Sequence, residues 1–254
     1  MKKLKLLFAS AFMLTTLCAF AQNNTTDEGV EINGIIWATR NVDAPGTFAE
    51  NPEDAGMFYQ WNRRVGWSST DPMVNSDGGT TWDTTMPEEG ASWEKENDPC
   101  PQGWRVPTLE ELQYLRNYNS IWTAQNDVNG QLFGTYPNQI FLPATGWRRN
   151  TTGKLDGVGA WGVYWSGTQD GSLRAWSLDF SNDSAGVNSD WRDDAFSIRC
   201  VKAENQTSIN NILTENNRTP IAFYTITGVK LGQKPQSGIF IILYCDGSAE
   251  KLMR

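Results

Sequence analysis

The chain has 254 residues, with 21 lysines and arginines against 29 aspartates and glutamates and no histidine, for a formal net charge of −8. So acidic a chain repels nucleic acids and anionic lipids, which need a basic patch. The absence of histidine excludes Ser-His-Asp and Cys-His catalysis and every histidine-ligated metal site. We therefore expect a protein that is not an enzyme and has no nucleic-acid partner, although carboxylate chemistry remains open.

The first 21 residues have the pattern of an export signal. Three lysines among the first five residues precede an apolar run over residues 6–17, and a small-x-small cleavage site follows at residues 19–21. The apolar run is too short to span a bilayer. We expect a signal peptide over residues 1–21 and a secreted or surface-displayed product without a transmembrane segment. A retained anchor and a lipoprotein attached through Cys18 are the alternatives.

The distribution of tryptophan predicts the domain organisation. All twelve tryptophans lie between Trp37 and Trp191. This break in composition predicts a boundary at a polar linker over residues 204–208. We expect a polar leader over residues 22–29, a large domain over residues 30–203 and a small all-β module over residues 209–254.

The large domain begins with strand and loop signals. Asn33-Gly34 between apolar residues predicts a β-hairpin, because both positions tolerate a positive φ. Residues 43–98 are rich in Gly, Pro, Asp, Ser and Thr and contain isolated tryptophans, which indicates long loops with aromatic anchors.

One helix is predicted over residues 107–116. Thr108 and Glu111 have the spacing of a capping box, and leucines at 109, 112 and 115 form one apolar stripe. From Ile140 onward the pattern changes to short strands, of which residues 175–180 alternate strictly between apolar and polar.

Cys100, Cys200 and Cys245 follow the predicted signal peptide. An exported protein meets an oxidising compartment, so a pair of these cysteines should be bridged. Alternation over residues 195–201 directs Cys200 to the core, which allows a buried disulfide to Cys100 and leaves Cys245 unexplained.

Five motifs occur in the order residues 33–42 (Asn-Gly-Ile-Ile-Trp-Ala-Thr-Arg-Asn-Val), 98–108 (Asp-Pro-Cys-Pro-Gln-Gly-Trp-Arg-Val-Pro-Thr), 142–147 (Leu-Pro-Ala-Thr-Gly-Trp), 164–166 (Tyr-Trp-Ser) and 197–202 (Ser-Ile-Arg-Cys-Val-Lys). Together they resemble the Fibrobacter succinogenes major paralogous family. The resemblance implies an exported Bacteroidetes-type protein with an α+β, C-type-lectin-like fold, which has short antiparallel sheets, many loops and one clear helix. The two family cysteines match Cys100 and Cys200, which implies that these two are paired.

The tail resembles a C-terminal sorting domain of the type IX secretion system. The likeness is carried by residues 223–230 (Phe-Tyr-Thr-Ile-Thr-Gly-Val-Lys) and 238–242 (Gly-Ile-Phe-Ile-Ile). It implies that the secretion machinery is a partner. The chain departs from the pattern where Cys245 and residues 248–250 replace the expected basic residues, and a β-hairpin extension without a sorting role is the alternative.

Aromatic rings and arginines near one another in the large domain are the candidate ligand-binding residues, because tryptophan faces stack on sugar rings and such residues dominate binding hot spots. The candidates are Trp147, Arg148, Arg149, Trp161, Trp191 and Arg192. The alternative is that these tryptophans fill the core.

Three carboxylates, Asp190, Asp193 and Asp194, are candidate calcium ligands. A solvated acidic loop is the alternative, and we expect no cofactor and no catalytic residue. These observations predict a non-catalytic binding or adhesion module that recognises a glycan or a protein at the cell surface through long loops. A structural surface component and a carboxylate-based hydrolase are the alternative functions.

Overall fold

The computed structural model describes residues 27–87, 90, 92–203, 220–235, 239–244 and 249–253. The predicted signal peptide, most of the polar leader, the linker and Cys245 lie outside these residues. Among the described residues, no helix has both the length and the apolar character needed to cross a membrane.

The described chain is mostly β-structure, with about 45% of its residues in strands and 5% in a helix. The α+β, C-type-lectin-like class predicted from the sequence is therefore wrong. Only the segment after Thr108 combines a cap with apolar residues at helical spacing. The remaining apolar segments are short and bounded by turn residues, and they pair into antiparallel sheets instead.

In chain order, the elements of the large domain are β1 (Val30–Ile32), β2 (Ile35–Trp37), β3 (Met57–Gln60), β4 (Gly66–Ser68), β5 (Trp104–Arg105), α1 (Leu109–Asn117), β6 (Ser120–Gln125), β7 (Val128–Thr135), β8 (Asn138–Pro143), β9 (Trp147–Arg148), β10 (Leu155–Asp156), β11 (Trp161–Asp170), β12 (Arg174–Ser181), β13 (Ala185–Trp191), β14 (Ala195–Phe196) and β15 (Val201–Lys202). The tail contributes β16 (Pro220–Thr225), β17 (Lys230–Leu231), β18 (Ile239–Tyr244) and β19 (Ala249–Met253).

The strands form five sheets. Four lie in the large domain, with the orders β1-β2-β15-β5, β10-β9-β14-β3-β4, β6-β7-β8 and β11-β12-β13, and the tail forms β17-β16-β18-β19. The predicted hairpin at Asn33-Gly34 joins β1 to β2, and both residues have positive φ angles of 55° and 77°. In the first sheet β15 lies between β2 and β5, which brings the beginning and the end of the large domain together.

Helix α1 begins where the capping box predicts it. The Thr108 hydroxyl accepts a hydrogen bond from the Glu111 backbone N–H at 3.2 Å, and the Glu111 carboxylate accepts one from the Thr108 N–H at 2.8 Å. Leu112 and Leu115 are buried in a cluster with Phe180 and other apolar residues of the sheets. The helix thus covers one face of the sheet β11-β12-β13.

The disulfide between Cys100 and Cys200 is present, with a Cα–Cα distance of 6.1 Å. Both cysteines lie in the largest buried cluster, which also contains Trp61 and Trp165. The prediction of this pair is confirmed. The bridge fixes the loop before β5 to the segment before β15, and it holds the loop-rich first half of the domain against the strand-rich second half.

Candidate functional site

Strand register assembles one wall of a pocket on the sheet β11-β12-β13. Val163 lies opposite Asp179, and Ala175 lies opposite Asp190. Residues directly opposite in antiparallel strands share a face, as do residues two or four apart in one strand. Trp161, Val163, Asp179 and Asp190 therefore lie on the same face, which is the face turned away from helix α1.

The other wall comes from strands β9 and β14 of the neighbouring sheet. Trp147 lies in β9, Phe196 lies in β14, and Asp194 immediately precedes β14. Together the two walls enclose a cavity of about 240 Å³, which we call the inter-sheet pocket. Its lining residues are Trp147, Trp161, Val163, Asp179, Asp190, Asp194 and Phe196.

The aromatic walls are partly open to solvent. Trp161 is 39% exposed, and Trp147 is half-buried. Gly157 allows the Trp147 ring to lie against the chain, because an added Cβ there would be 2.4 Å from the ring and the glycine has a φ of 68°. The Arg149 guanidinium lies 5.9 Å from the Trp147 ring centroid and donates to Asp156 at 2.7 Å. The pocket lining therefore contains one exposed and one half-buried tryptophan, and Arg149 lies beside Trp147.

Each of the three carboxylates is held by one hydrogen bond. The donors are Asn188 Nδ2 to Asp179 at 2.6 Å, Ser177 Oγ to Asp190 at 2.5 Å and the Asn150 backbone N–H to Asp194 at 2.7 Å. The Asp179 carboxylate is stabilised in addition by its own backbone N–H. The fold thus orients each of the three side chains.

Burial raises the pKa of all three carboxyl groups. The pKa of Asp194 rises to about 6, with further contributions from the negative charges of Asp193 and Asp190. The pKa of Asp179 is also raised by burial and by the charge of Asp190, and the pKa of Asp190 is raised by burial alone. Burial thus disfavours the charged form of each group, and the charges of neighbouring aspartates add to the rise at Asp179 and Asp194.

Two of the predicted ligand-binding arginines hold the framework instead. Arg148 is fully buried and donates to the backbone carbonyls of Ser68, Thr70 and Gly153, each at 2.7 Å. Arg192 is also fully buried and lies with its guanidinium 4.3 Å from the Trp61 ring centroid. Neither side chain lines the inter-sheet pocket.

Trp191 is exposed but lies on the other side of its sheet. It is 39% exposed, and it follows Asp190 in β13, so the two side chains point to opposite faces. The Arg174 guanidinium lies 4.4 Å from its ring centroid. Of the six predicted ligand-binding residues, Trp147 and Trp161 line the pocket, and Arg149 lies beside Trp147 outside the lining.

The three candidate calcium ligands are divided. Asp190 and Asp194 line the pocket, whereas Asp193 lies outside the lining and accepts a hydrogen bond from Asn150 Nδ2 at 3.4 Å. Within the described ranges no group of three or more acidic, cysteine or histidine side chains is arranged to hold a metal ion.

The sequence prediction missed Asp179, Val163 and Phe196. Asp179 belongs to the strictly alternating segment over residues 175–180, whose apolar face was the one considered. The polar face of the same strand carries Ser177 and Asp179 towards the pocket. The signal that could have identified Asp179 is the polar side of this alternation, which places Ser177 and Asp179 on one face of the strand.

A second, larger cavity lies among the long loops of residues 60–97. This loop groove has a volume of about 1010 Å³ and is lined mainly by polar side chains, together with Trp67 and Trp82. Gln60 lines it, and its Oε1 atom is buried without a hydrogen-bond partner among the described residues. The Trp67 and Trp82 rings pack on each other with centroids 4.9 Å apart.

Comparison with known proteins gives one family match. The model of a domain of unknown function, DUF8237, matches residues 117–201. No curated protein and no solved structure matches the chain. The matched segment begins at the end of helix α1 and contains every residue that lines the inter-sheet pocket.

Proposed function

We propose that the protein is an exported, non-catalytic binding module that takes one sugar ring of a glycan into the inter-sheet pocket. The observation that carries the proposal is the combination of two tryptophans, Trp161 exposed and Trp147 half-buried, with three oriented carboxylates around one cavity. Drug-sized ligands occupy pockets of roughly 300–1,000 Å³. The inter-sheet pocket, at about 240 Å³, is suited to a single ring and not to a long ligand.

The two kinds of side chain have complementary roles in this proposal. The Trp147 and Trp161 faces stack on the apolar face of a pyranose ring, as aromatic surfaces do in binding sites. The carboxylates accept hydrogen bonds from the ring hydroxyls, and hydrogen bonds to charged acceptors are roughly twice as strong as neutral ones. Because each carboxylate is already fixed by one donor, little side-chain freedom is lost when the ligand binds.

Export to the cell surface is part of the same proposal. It is supported by the signal-like pattern of residues 1–21 and by the buried disulfide, since disulfides persist in oxidising compartments. The motif resemblance to exported proteins and the sorting-like tail point to the same location. Recognition of the tail by the secretion machinery is the corresponding proposal for residues 209–254.

A glycan array followed by calorimetry on the purified protein tests the binding proposal. Trp161→Ala should weaken binding of a positive glycan by about tenfold or more, because each 1.4 kcal/mol of lost stacking is tenfold in Kd. Trp191→Ala is the matched control, since this tryptophan is equally exposed but lies on the opposite face of the sheet. A uniformly negative array, or equal losses in the two variants, would contradict the proposal; binding of a protein by the same pocket would replace the glycan as its ligand.

A carboxylate-based hydrolase is the second candidate, and the raised pKa of Asp194 favours it. A carboxyl group with a pKa of about 6 beside an ionised partner is the arrangement that glycosidases use for a general acid. Release of reducing sugar from a bound glycan, abolished in Asp194→Asn with binding retained, would establish hydrolysis. Binding of a glycan without release of product over prolonged incubation would contradict hydrolysis and support the non-catalytic module.

A further inference from the structure

The charge of the inter-sheet pocket selects among the rings that could enter it. Its lining contains Asp179, Asp190 and Asp194 and no lysine or arginine. Three carboxylates within one small cavity repel one another unless a positive charge lies between them. If the neighbouring basic residues do not supply this positive charge, the ligand is its remaining source.

The neighbouring arginines are committed elsewhere. Arg149 pairs with Asp156 at the pocket entrance. Arg174 lies beside Ala175 in β12 and therefore on the opposite face from Asp190, where it donates to the Ser189 carbonyl at 2.8 Å and covers the Trp191 ring. The attraction of these arginines lowers the pKa of Asp194 and of Asp190, yet both values remain above normal because burial outweighs it. The negative charge of the pocket is thus only partly compensated within the described chain.

The aromatic walls favour the same kind of ligand. Tryptophan is the aromatic side chain that attracts a cation most strongly, and aromatic cages recognise ammonium groups. In the inter-sheet pocket an ammonium group would contact the Trp147 or Trp161 ring while it donates to the carboxylates that line the cavity. A neutral hydroxyl in the same place would leave the repulsion between the carboxylates in full, and an anionic group would add to it.

We infer that the inter-sheet pocket selects a ligand ring that carries an ammonium group, such as an amino sugar with a free amine. The inference rests on the proposed binding function and deepens it by naming the class of ligand. The ammonium group could also come from a lysine side chain, which shares its charge and its N–H donors, whereas a quaternary amine shares the charge and the contact with the aromatic rings alone.

Calorimetry with matched oligosaccharides tests the inference on the purified protein near neutral pH. A glucosamine oligomer should bind at least about tenfold more tightly than the N-acetylated oligomer of the same length, because acetylation removes the charge and keeps the ring. Choline and a lysine-containing peptide form the arms that identify the source. Binding of these compounds but of no oligosaccharide would keep ammonium recognition and remove the glycan from the proposed function.

Two asparagine variants test whether the preference for the free amine arises in the inter-sheet pocket. Asp190→Asn should reduce the ratio of the two oligosaccharide affinities severalfold, since it removes one pocket charge and still accepts from Ser177. Asp183→Asn is the matched control, because Asp183 lies in the turn between β12 and β13 and outside the pocket lining. Unchanged urea unfolding midpoints show that both variants fold. Equal affinity for the acetylated and free oligomers would overturn the inference and leave the proposed function standing, and equal effects of the two variants would overturn the assignment to this pocket.

Discussion

Replacement of Arg148 by alanine should destabilise the protein strongly, although this residue lies between two surface residues of the pocket region. Its side chain is 1% exposed, and it donates to three carbonyls that belong to two separate loops. The Ser68 carbonyl is at the end of β4, the Thr70 carbonyl follows β4, and the third carbonyl belongs to Gly153. The guanidinium therefore ties these two loops to β9.

The magnitude follows from the hydrogen bonds. A hydrogen bond to a charged group contributes about 1.5–3 kcal/mol, and a buried acceptor left without a donor costs about 1–3 kcal/mol. Ser68 and Thr70 are partly exposed and can be rehydrated, whereas Gly153 is buried. We therefore expect Arg148→Ala to lower the free energy of unfolding by about 3–5 kcal/mol, which is within the range for breaking a buried charged network. The ion pair with Asp71 adds little, because that carboxylate is 65% exposed.

Urea unfolding followed by tryptophan fluorescence measures the effect. Arg149→Ala is the control, because the adjacent arginine is exposed and its loss should leave the midpoint nearly unchanged. Arg148→Lys should give an intermediate loss, since an ammonium group lacks the planar fork that reaches three carbonyls at once. The unfolding of this lysine variant can still be measured if the alanine variant does not fold.

A loss below about 1 kcal/mol in Arg148→Ala would refute the reasoning. So would a stable Arg148→Ala variant that has lost glycan binding, because that result would return Arg148 to the ligand-binding role predicted from the sequence.

Three further predictions concern the disulfide, the helix cap and the pocket carboxylates. Mass mapping of non-reduced peptides should join Cys100 to Cys200, and a bond that includes Cys245 would contradict the predicted domain boundary. Thr108→Ala should reduce the free energy of unfolding by about 1 kcal/mol, with Thr108→Ser nearly neutral, and an alanine variant as stable as the parent would show that the capping box is dispensable. Asp194 has a folded-state pKa of about 6, above its unfolded value of 3.8, so the folded state binds the proton more tightly. Wild-type stability should therefore rise relative to Asp194→Asn as the pH falls from about 7 to about 4.5, and a parallel pH dependence of the two proteins would argue against the shift.

Local features of the fold could be predicted because their causes lie within a few residues. The Asn33-Gly34 turn depends on two residues that accept a positive φ, and helix α1 depends on one cap and three leucines. The overall class could not be obtained in the same way. One helix and many short strands are compatible with several architectures. The predicted α+β class treated the helix as a major element, whereas it has nine residues in a β-rich chain.

The candidate site shows the same division. Arg148 and Arg149 are adjacent and identical in type, yet one is fully buried and the other exposed, because β9 turns its alternate faces to the core and to solvent. The sequence could nominate both residues but could not distinguish them. Asp179 was not predicted because a single aspartate in an alternating strand is not part of a recognisable sequence motif.

By itself, the sequence determined the absence of histidine chemistry and the position of the helix, because the first depends on composition and the second on neighbours within one helical turn. Parity along one strand only allowed the pairing of Cys100 with Cys200, and the motif resemblance implied it. Only the tertiary structure decided that Trp147, Trp161 and the pocket carboxylates meet around one cavity. That meeting depends on the register of β11, β12 and β13 and on the contact of two sheets, which join residues far apart in the chain and leave no local pattern.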